Sequence, residues 1–171
     1  FTAAVPGGGF VTVFRDNLLD GDEGGIYARR YNSNGVALGT HFRVNNVTAG
    51  DQSEPTVAVD KTGKVSYAWM SYNEPWEPNP GYTIHSRRYN SDGTAIGNSK
   101  HVMGGEPPTA DGEQIYAASD DFVHSFTDVA NNTILIGLTN YEERFRVVKL
   151  SPTGTILSKF TINTLTGFNS P

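Results

Sequence analysis

The chain has 171 residues, of which 37% are hydrophobic and 18% are charged, and its formal net charge is −5. An acidic chain without a cluster of Lys and Arg excludes nucleic acid as a partner, and no apolar run reaches the roughly 18 residues that membrane insertion of a helix needs. The absence of cysteine excludes disulfides and cysteine-ligated zinc.

The first third of the chain predicts four short strands. Apolar and polar residues alternate around Val11 and Val13, as in a strand with one buried face. Asn34-Gly35 suits a tight hairpin turn, because glycine adopts positive φ without steric cost. The predicted strands are residues 1–5, 10–15, 25–31 and 41–45.

The loop between the second and third of these strands, residues 16–23, is rich in carboxylates. Asp16, Asp20 and Asp22 supply the hard oxygen ligands that Ca²⁺ binds about six to eight at a time. The loops placed at the same point of the other two units, residues 72–80 and 128–132, have different chemistry. We therefore expect calcium, if it binds, in the first unit only. The alternative is a solvated acidic turn.

The second third of the chain predicts strands at residues 56–60, 64–70, 82–89 and 100–103. Trp69 falls within a strand and is expected in the core. The following loop holds Trp76 among three prolines, between Tyr72 and Tyr82. Aromatic rings on a proline-stiffened loop lose little entropy on binding, so this loop is a candidate site for carbohydrate or protein. The alternative is that Trp76 packs over the end of its own unit.

The last third carries a weaker copy, with strands expected at residues 115–119, 122–127, 144–150 and 159–163. The hairpin glycine recurs at Gly35, Gly93 and Gly154, with spacings of 58 and 61 residues. Four short antiparallel strands in a repeat of this length are typical of a β-propeller blade. The sequence thus predicts an all-β fold of three four-stranded antiparallel blades, at residues 1–55, 56–114 and 115–171. A β-sandwich is the alternative.

Three blades are fewer than the about four to eight that close a propeller. Joining the end of the chain to its start would continue the repeat in phase, with 52 residues from Gly154 to Gly35. An open set of blades leaves sheet edges exposed to aggregation. We therefore expect completion of the propeller by another chain or by the rest of a longer protein.

Paired arginines recur at one position of the repeat, as Arg29-Arg30 and Arg87-Arg88. Neighbouring residues of a strand face opposite sides of the sheet, so one arginine of each pair is predicted to point into an interface between blades. There it would bind carboxylates or carbonyls. The alternative is a ring of arginines around a channel that holds an anion.

The stretch from residue 20 to residue 58 carries a family resemblance. Its segments are Asp-Gly-Asp-Glu-Gly-Gly-Ile-Tyr-Ala-Arg-Arg-Tyr at 20–31, His-Phe-Arg-Val-Asn at 41–45 and Gly-Asp-Gln-Ser-Glu-Pro-Thr-Val-Ala at 50–58. They resemble the β-propeller-like repeats of large secreted bacterial surface proteins of the adhesin and repeats-in-toxin-associated type. The resemblance implies a propeller-like fold, an extracellular or cell-surface location, and a role in adhesion or surface structure.

These observations predict an extracellular, non-catalytic repeat module for adhesion or for self-assembly into a surface structure. Its expected partners are neighbouring repeats or further copies, with a glycan or a surface protein as an additional ligand. A lectin-like propeller that binds glycans through Tyr72, Trp76 and Tyr82 is the first alternative. A hydrolase of the sialidase or glycosidase kind, with carboxylates on different blades, is the second. No nucleophile elbow, phosphate loop or dinucleotide fingerprint supports an enzyme.

Overall fold

A computed structural model describes residues 1–19, 21–72, 82–104, 124–139 and 144–163 of the chain. These ranges contain twelve strands and no helix, arranged as three four-stranded antiparallel sheets. The all-β prediction is therefore confirmed. No helix in these ranges has the length and apolar character needed to cross a membrane.

Within each sheet the strands lie side by side in chain order. The first sheet consists of β1 (Thr2–Ala4), β2 (Phe10–Asp16), β3 (Gly25–Tyr31) and β4 (Phe42–Arg43). The second consists of β5 (Asp51–Val59), β6 (Val65–Tyr72), β7 (Tyr82–Tyr89) and β8 (Ala95–Met103). The third consists of β9 (His124–Thr127), β10 (Thr133–Thr139), β11 (Arg144–Leu150) and β12 (Ile156–Asn163). β5 and β8 begin at Asp51 and Ala95, five residues before the predicted starts at residues 56 and 100.

The hairpin between the third and fourth strands of each sheet has the predicted glycine. The amides of Gly35, Gly93 and Gly154 donate to the carbonyls of Asn32, Asn90 and Ser151, respectively, at 2.8–3.0 Å. The φ angles of these glycines are 74°, 93° and 79°, in the left-handed region that favours glycine. The three hairpins are therefore one turn, repeated once in each sheet.

Two apolar cores lie between the sheets. The first joins Val11, Val13, Ile26, Ala28 and Val44 of the first sheet and its flank to Val57, Val65, Tyr67, Trp69 and Tyr89 of the second. The second joins Ala68, Met70, Ile84, Val102 and Met103 to Leu135, Val148 and Leu150 of the third sheet. Successive residues of β6 alternate between the two cores, as the pleat of a strand requires. The second sheet therefore has both faces covered, and the expectation that Trp69 is a core residue is confirmed.

A pair of buried amide side chains joins the first sheet to the second. Asn45 Nδ2 donates to Gln52 Oε1 at 2.8 Å, and Asn45 Oδ1 accepts the amide of Ile26 at 2.9 Å. Gln52 Nε2 donates to the carbonyls of Ala49 and Gly50, at 3.0 and 2.9 Å. Because each bond satisfies a group that is shielded from water, the pair fixes the passage from one sheet to the next.

The third sheet departs from the prediction by one strand. Residues 133–139, for which no strand is predicted, form β10, and the predicted second strand at residues 122–127 overlaps β9, the first of the four strands described. Residues 128–132, equated above with the acidic loop, form the β9–β10 turn. The Asp128 carboxylate accepts two amides of this turn, as the Asp60 carboxylate does in the β5–β6 turn. The strand expected at 115–119 lies outside the described residues.

Candidate interaction surface

An arginine of the first sheet and one of the second make the same contact with the next sheet along the chain. Arg30 of β3 donates from Nη2 to the carbonyl of Ser91, in the hairpin of the second sheet. Arg88 of β7 donates from Nη1 to the carbonyl of Ser151, in the hairpin of the third sheet, at 3.2 Å. The prediction that one arginine of each pair points into an interface is therefore confirmed.

Arg88 also holds a carboxylate within this interface. Its Nη2 donates to Asp60 Oδ2 at 3.0 Å, and the two side chains are only 3% and 1% exposed. Burial by itself raises the pKa of the Asp60 carboxyl. Hydrogen bonds from Thr62 and Lys64 and the charge of Arg88 outweigh burial, so the pKa lies below its usual value. The interface between the second and third sheets therefore contains a buried, ionised pair.

The other arginine of the second pair faces back toward the first sheet. Arg87 donates from Nη1 to the carbonyl of Val44 at 3.0 Å, and its guanidinium lies 5.5 Å from the centre of the Tyr89 ring. In the first sheet Arg29 lies over Tyr31 in the same way, at 5.8 Å. Because side chains alternate along a strand, Arg87 and Arg88 serve the two interfaces of the second sheet. Arg29 lies on the face of the first sheet that is turned away from the second.

Lys149 takes the position of Arg30 and Arg88 in the third sheet. Like them, it precedes the glycine of its own hairpin by five residues. Its Nζ pairs with Asp128 Oδ2 at 2.9 Å, which repeats the Arg88–Asp60 pair, but the two side chains are 36% and 24% exposed. Sequence reasoning assigned no role to Lys149. The sequence feature that identifies Lys149 is its spacing to the hairpin glycine, which is the same as that of Arg30 and Arg88.

The face of the third sheet that carries Lys149 is apolar and partly exposed. Register and alternation place on this face His124, Phe126, Ile134, Ile136, Phe145, Val147, Phe160 and Ile162. Phe126, Phe160 and Ile162 are 49%, 52% and 48% exposed. The residues at the positions of Ile134, Ile136, Phe145 and Val147 in the first sheet are fully or almost fully buried in the first core. We call this face of the third sheet the open face.

The first sheet turns an aromatic face away from the second sheet. Phe10 stacks on Tyr31 with ring centres 4.7 Å apart, and Phe14 stacks on Tyr27 at 6.3 Å. Phe14 is 37% exposed, whereas Trp69, at the same position of the second sheet, is 1% exposed because it packs against the first sheet. We call this face of the first sheet the aromatic face.

The two described tyrosines of the predicted ligand site come together at the end of the second sheet. Tyr72 ends β6, Tyr82 begins β7, and the two residues pair in register. Their ring centres are 4.7 Å apart, and both side chains are half-buried. Trp76, the third residue of the predicted site, lies outside the described residues. The second sheet thus supplies an aromatic pair where β6 ends and β7 begins.

The predicted calcium ligands are described in part. The Asp16 carboxylate accepts the amide of Leu18 at 2.9 Å, and the Asp22 carboxylate accepts the amide of Gly50 at 3.2 Å. Asp20 lies outside the described residues. Within the part of the chain that the structure describes, no three His, Asp or Glu side chains are grouped so that they could hold a metal ion. Calcium binding by this loop stays a prediction.

A buried histidine lies beside the first core. His85 of β7 stacks on Trp69 with ring centres 6.1 Å apart, and its Nε2 lies 3.2 Å from the Thr83 hydroxyl. Burial, aided by the nearby His101, lowers the pKa of His85 to about 4. The imidazole is therefore neutral at physiological pH and behaves as a packing residue.

No protein-family model matches the sequence, and no curated protein is significantly similar to it. The function is therefore inferred from the chain's own geometry. The features that bear on the function are the open face, the aromatic face and the basic side chains that contact a neighbouring sheet.

Proposed function

We propose that the chain is a non-catalytic repeat module whose sheets act as blades of a β-propeller-like array and whose exposed faces bind a further blade of the same kind. The observation that carries the proposal is the open face. It leaves Phe145 and Ile162 partly exposed, at positions that are fully buried in the core between the first and second sheets. The resemblance to secreted repeats supports a place in an extracellular or cell-surface protein that works in adhesion or surface structure.

Burial of the open face would supply part of the driving force for such binding. Fully burying one large apolar side chain contributes about 1.5–3 kcal/mol. Phe126, Phe160 and Ile162 are each about half exposed, so covering these three alone would contribute about 2–4 kcal/mol. An exposed apolar patch built from all four strands of a sheet marks an interaction site more often than it marks the surface of a monomer.

The test is the mass of the protein in solution as a function of concentration, measured by sedimentation. We expect the mass to rise above the 18.5 kDa of one chain. Phe160→Glu places a charge on the open face and should return the protein to a monomer. Thr161→Glu is the matched control, because Thr161 is the exposed neighbour on the opposite side of β12. A wild-type chain that stays monomeric at every concentration contradicts the proposal.

The tyrosine pair favours a second binding function. We propose that the rings of Tyr72 and Tyr82 contribute to a stacking surface for a glycan, since flat aromatic rings bind sugars with little loss of side-chain entropy. A glycan array should then give a signal that Tyr82→Ala removes and that Phe1→Ala, which shortens an exposed aromatic side chain outside both faces, leaves unchanged. The absence of any glycan signal from the wild-type chain would count against this second function.

A further inference from the structure

We propose that the open face binds the aromatic face of a second copy of this chain, so that the third sheet of one copy meets the first sheet of the next. This inference rests on the proposed assembly function and names the partner and its orientation. It follows from the contact between the first and second sheets, which already shows how two such faces fit together.

The apolar parts of the two faces have the right positions. At the contact inside the chain, Ile26 and Ala28 of the first sheet belong to the same core as Trp69 of the second. The open face has Phe145, which is 37% exposed, at the position of Ile26, and Val147, which is 6% exposed, at the position of Ala28. The aromatic face presents Phe14 at the position of Trp69. Docking a second copy would therefore repeat a contact that the chain already makes.

The hairpins show which turn lacks a neighbour. A Cβ atom added at Gly93 would lie 3.0 Å from Nη1 of Arg30, and one added at Gly154 would lie 3.8 Å from Cδ of Arg88. A Cβ added at Gly35 would meet no atom within 4 Å among the described residues. Among the described residues, therefore, a basic side chain of a neighbouring sheet packs against the hairpins of the second and third sheets, and none packs against the hairpin of the first.

Lys149 is the basic residue that can complete this contact. An ammonium group has three donors, and Asp128 takes one of them. Arg88 likewise binds its own Asp60 and the hairpin of the next sheet at the same time. In the assembled pair, Lys149 of one copy donates to a carbonyl of the hairpin at residues 32–35 of the other.

Arg29 supplies a contact in the opposite direction. Its counterpart Arg87 donates to the carbonyl of Val44, which directly follows the last strand of the preceding sheet. Ile162 of β12 has the position of Val44, because each lies opposite the corresponding residue of the third strand. In the assembled pair, Arg29 therefore meets the main chain of β12 near Ile162 of the other copy.

The contact joins two different faces, so it is directional. A face that bound its own kind would give a twofold dimer, whereas this contact continues head to tail until it closes or forms a filament. Two copies closed in this way would contain six sheets, which is within the range of about four to eight blades of known propellers.

Cross-linking tests the partner and its orientation. The chain has no cysteine, so the variant Ser33→Cys has a single thiol, in the hairpin of the first sheet. We would treat it with a short amine-to-thiol cross-linker and map the products by mass spectrometry. Mixing isotope-labelled with unlabelled chains identifies the links between copies. The expected link between copies joins residue 33 to Lys149, in preference to the other lysines. Ser91→Cys is the control and should give no such link, because Arg30 of the same chain already packs on its hairpin.

Two lysine substitutions, compared by their effect on assembly, supply a second test. Lys149→Met keeps the length of the side chain and should raise the concentration for half-maximal assembly roughly tenfold, as expected for loss of a charged hydrogen bond. Lys159→Met removes the same charge from the opposite face of the neighbouring strand and should not change assembly. If sedimentation shows assembly but the link from residue 33 to Lys149 is missing, this inference is wrong and the proposed function stands. If sedimentation shows no assembly, both are wrong.

Discussion

Replacing Asp60 by alanine would remove the carboxylate at the centre of the contact between the second and third sheets. That carboxylate accepts the amides of Thr62 and Lys64 at 2.8 and 3.1 Å, and it faces Arg88 at 3.0 Å. Without it, the guanidinium stays almost fully buried with no carboxylate partner among the described residues, and its Nε already has no hydrogen-bond partner among them. Breaking a buried ion pair from one side costs about 3–5 kcal/mol, because the remaining charge is not compensated.

We therefore expect Asp60→Ala to lower the free energy of unfolding by about 4 kcal/mol, a large part of the about 5–15 kcal/mol that holds a domain folded. Urea unfolding at pH 7, followed by tryptophan fluorescence and extrapolated to water, measures the loss. Asp128→Ala is the matched control: it removes a carboxylate from the same kind of turn and from the same kind of ion pair, but in an exposed setting. Its loss should be much smaller.

The double variant Asp60→Asn with Arg88→Met separates charge from packing. Asparagine keeps an oxygen that can accept the turn amides, and methionine keeps most of the apolar stem without a charge. Replacing both members of a buried pair is often close to neutral, so the double variant should recover much of the loss. If Asp60→Ala costs no more than Asp128→Ala, the interface does not depend on this ion pair and the reasoning is refuted.

Two further predictions concern the stability of the fold at acidic pH and alanine substitutions of the hairpin glycines. Burial lowers the pKa of His85 to about 4, while the unfolded chain binds this proton near pH 6.5, so stability falls as the pH decreases through this interval. From pH 7.5 to pH 5 the loss should be about 2 kcal/mol in urea unfolding, and a His85→Gln variant should lack this part of it. Alanine at either Gly93 or Gly35 strains a positive φ angle by roughly 1–2 kcal/mol, but only at Gly93 does the new methyl group press on Arg30. Gly93→Ala should therefore lower the Tm more than Gly35→Ala, and equal losses would contradict this contact.

The sequence was most informative where a hairpin glycine marks the repeat. The third strands of the sheets, Gly25–Tyr31, Tyr82–Tyr89 and Arg144–Leu150, have the predicted bounds because each ends shortly before such a glycine. Glycine is readily identified in a sequence, and its positive φ fixes the register of the strands on both sides. The paired arginines were correctly interpreted for a related reason, since alternation along a strand determines the side to which each one points.

The third sheet was misassigned because its first turn lacks this marker. The β5–β6 turn has Gly63 at its positive-φ position, whereas the β9–β10 turn has Asn131 there, with φ of 64°. Asparagine tolerates that conformation, so the turn forms without a glycine in the sequence. The strand that follows, Thr133–Thr139, is apolar at successive positions, and an unbroken apolar run gives no alternation from which to recognise a strand.

The candidate site was harder to predict than the strands, because it depends on sheets that meet far apart in sequence. Lys149 differs chemically from Arg30 and Arg88, and its pairing with Asp128 becomes evident only when the turns are superimposed. The open face was not identifiable either, since the same apolar pattern describes the covered face of the first sheet. Only the arrangement of the sheets distinguishes an apolar face that is covered from one that is exposed.

The amide pair of Asn45 and Gln52 has a consequence for the size of the proposed assembly. In a stack of repeated units, the rotation from each unit to the next decides whether the series returns to its starting point or continues as a spiral. Between the first two sheets this rotation is held by two neutral side chains, shielded from water and fully hydrogen-bonded to each other and to the main chain around them. Salt and pH do not alter such bonds, so the pitch of the array would remain constant under changes of medium that weaken its ionic contacts.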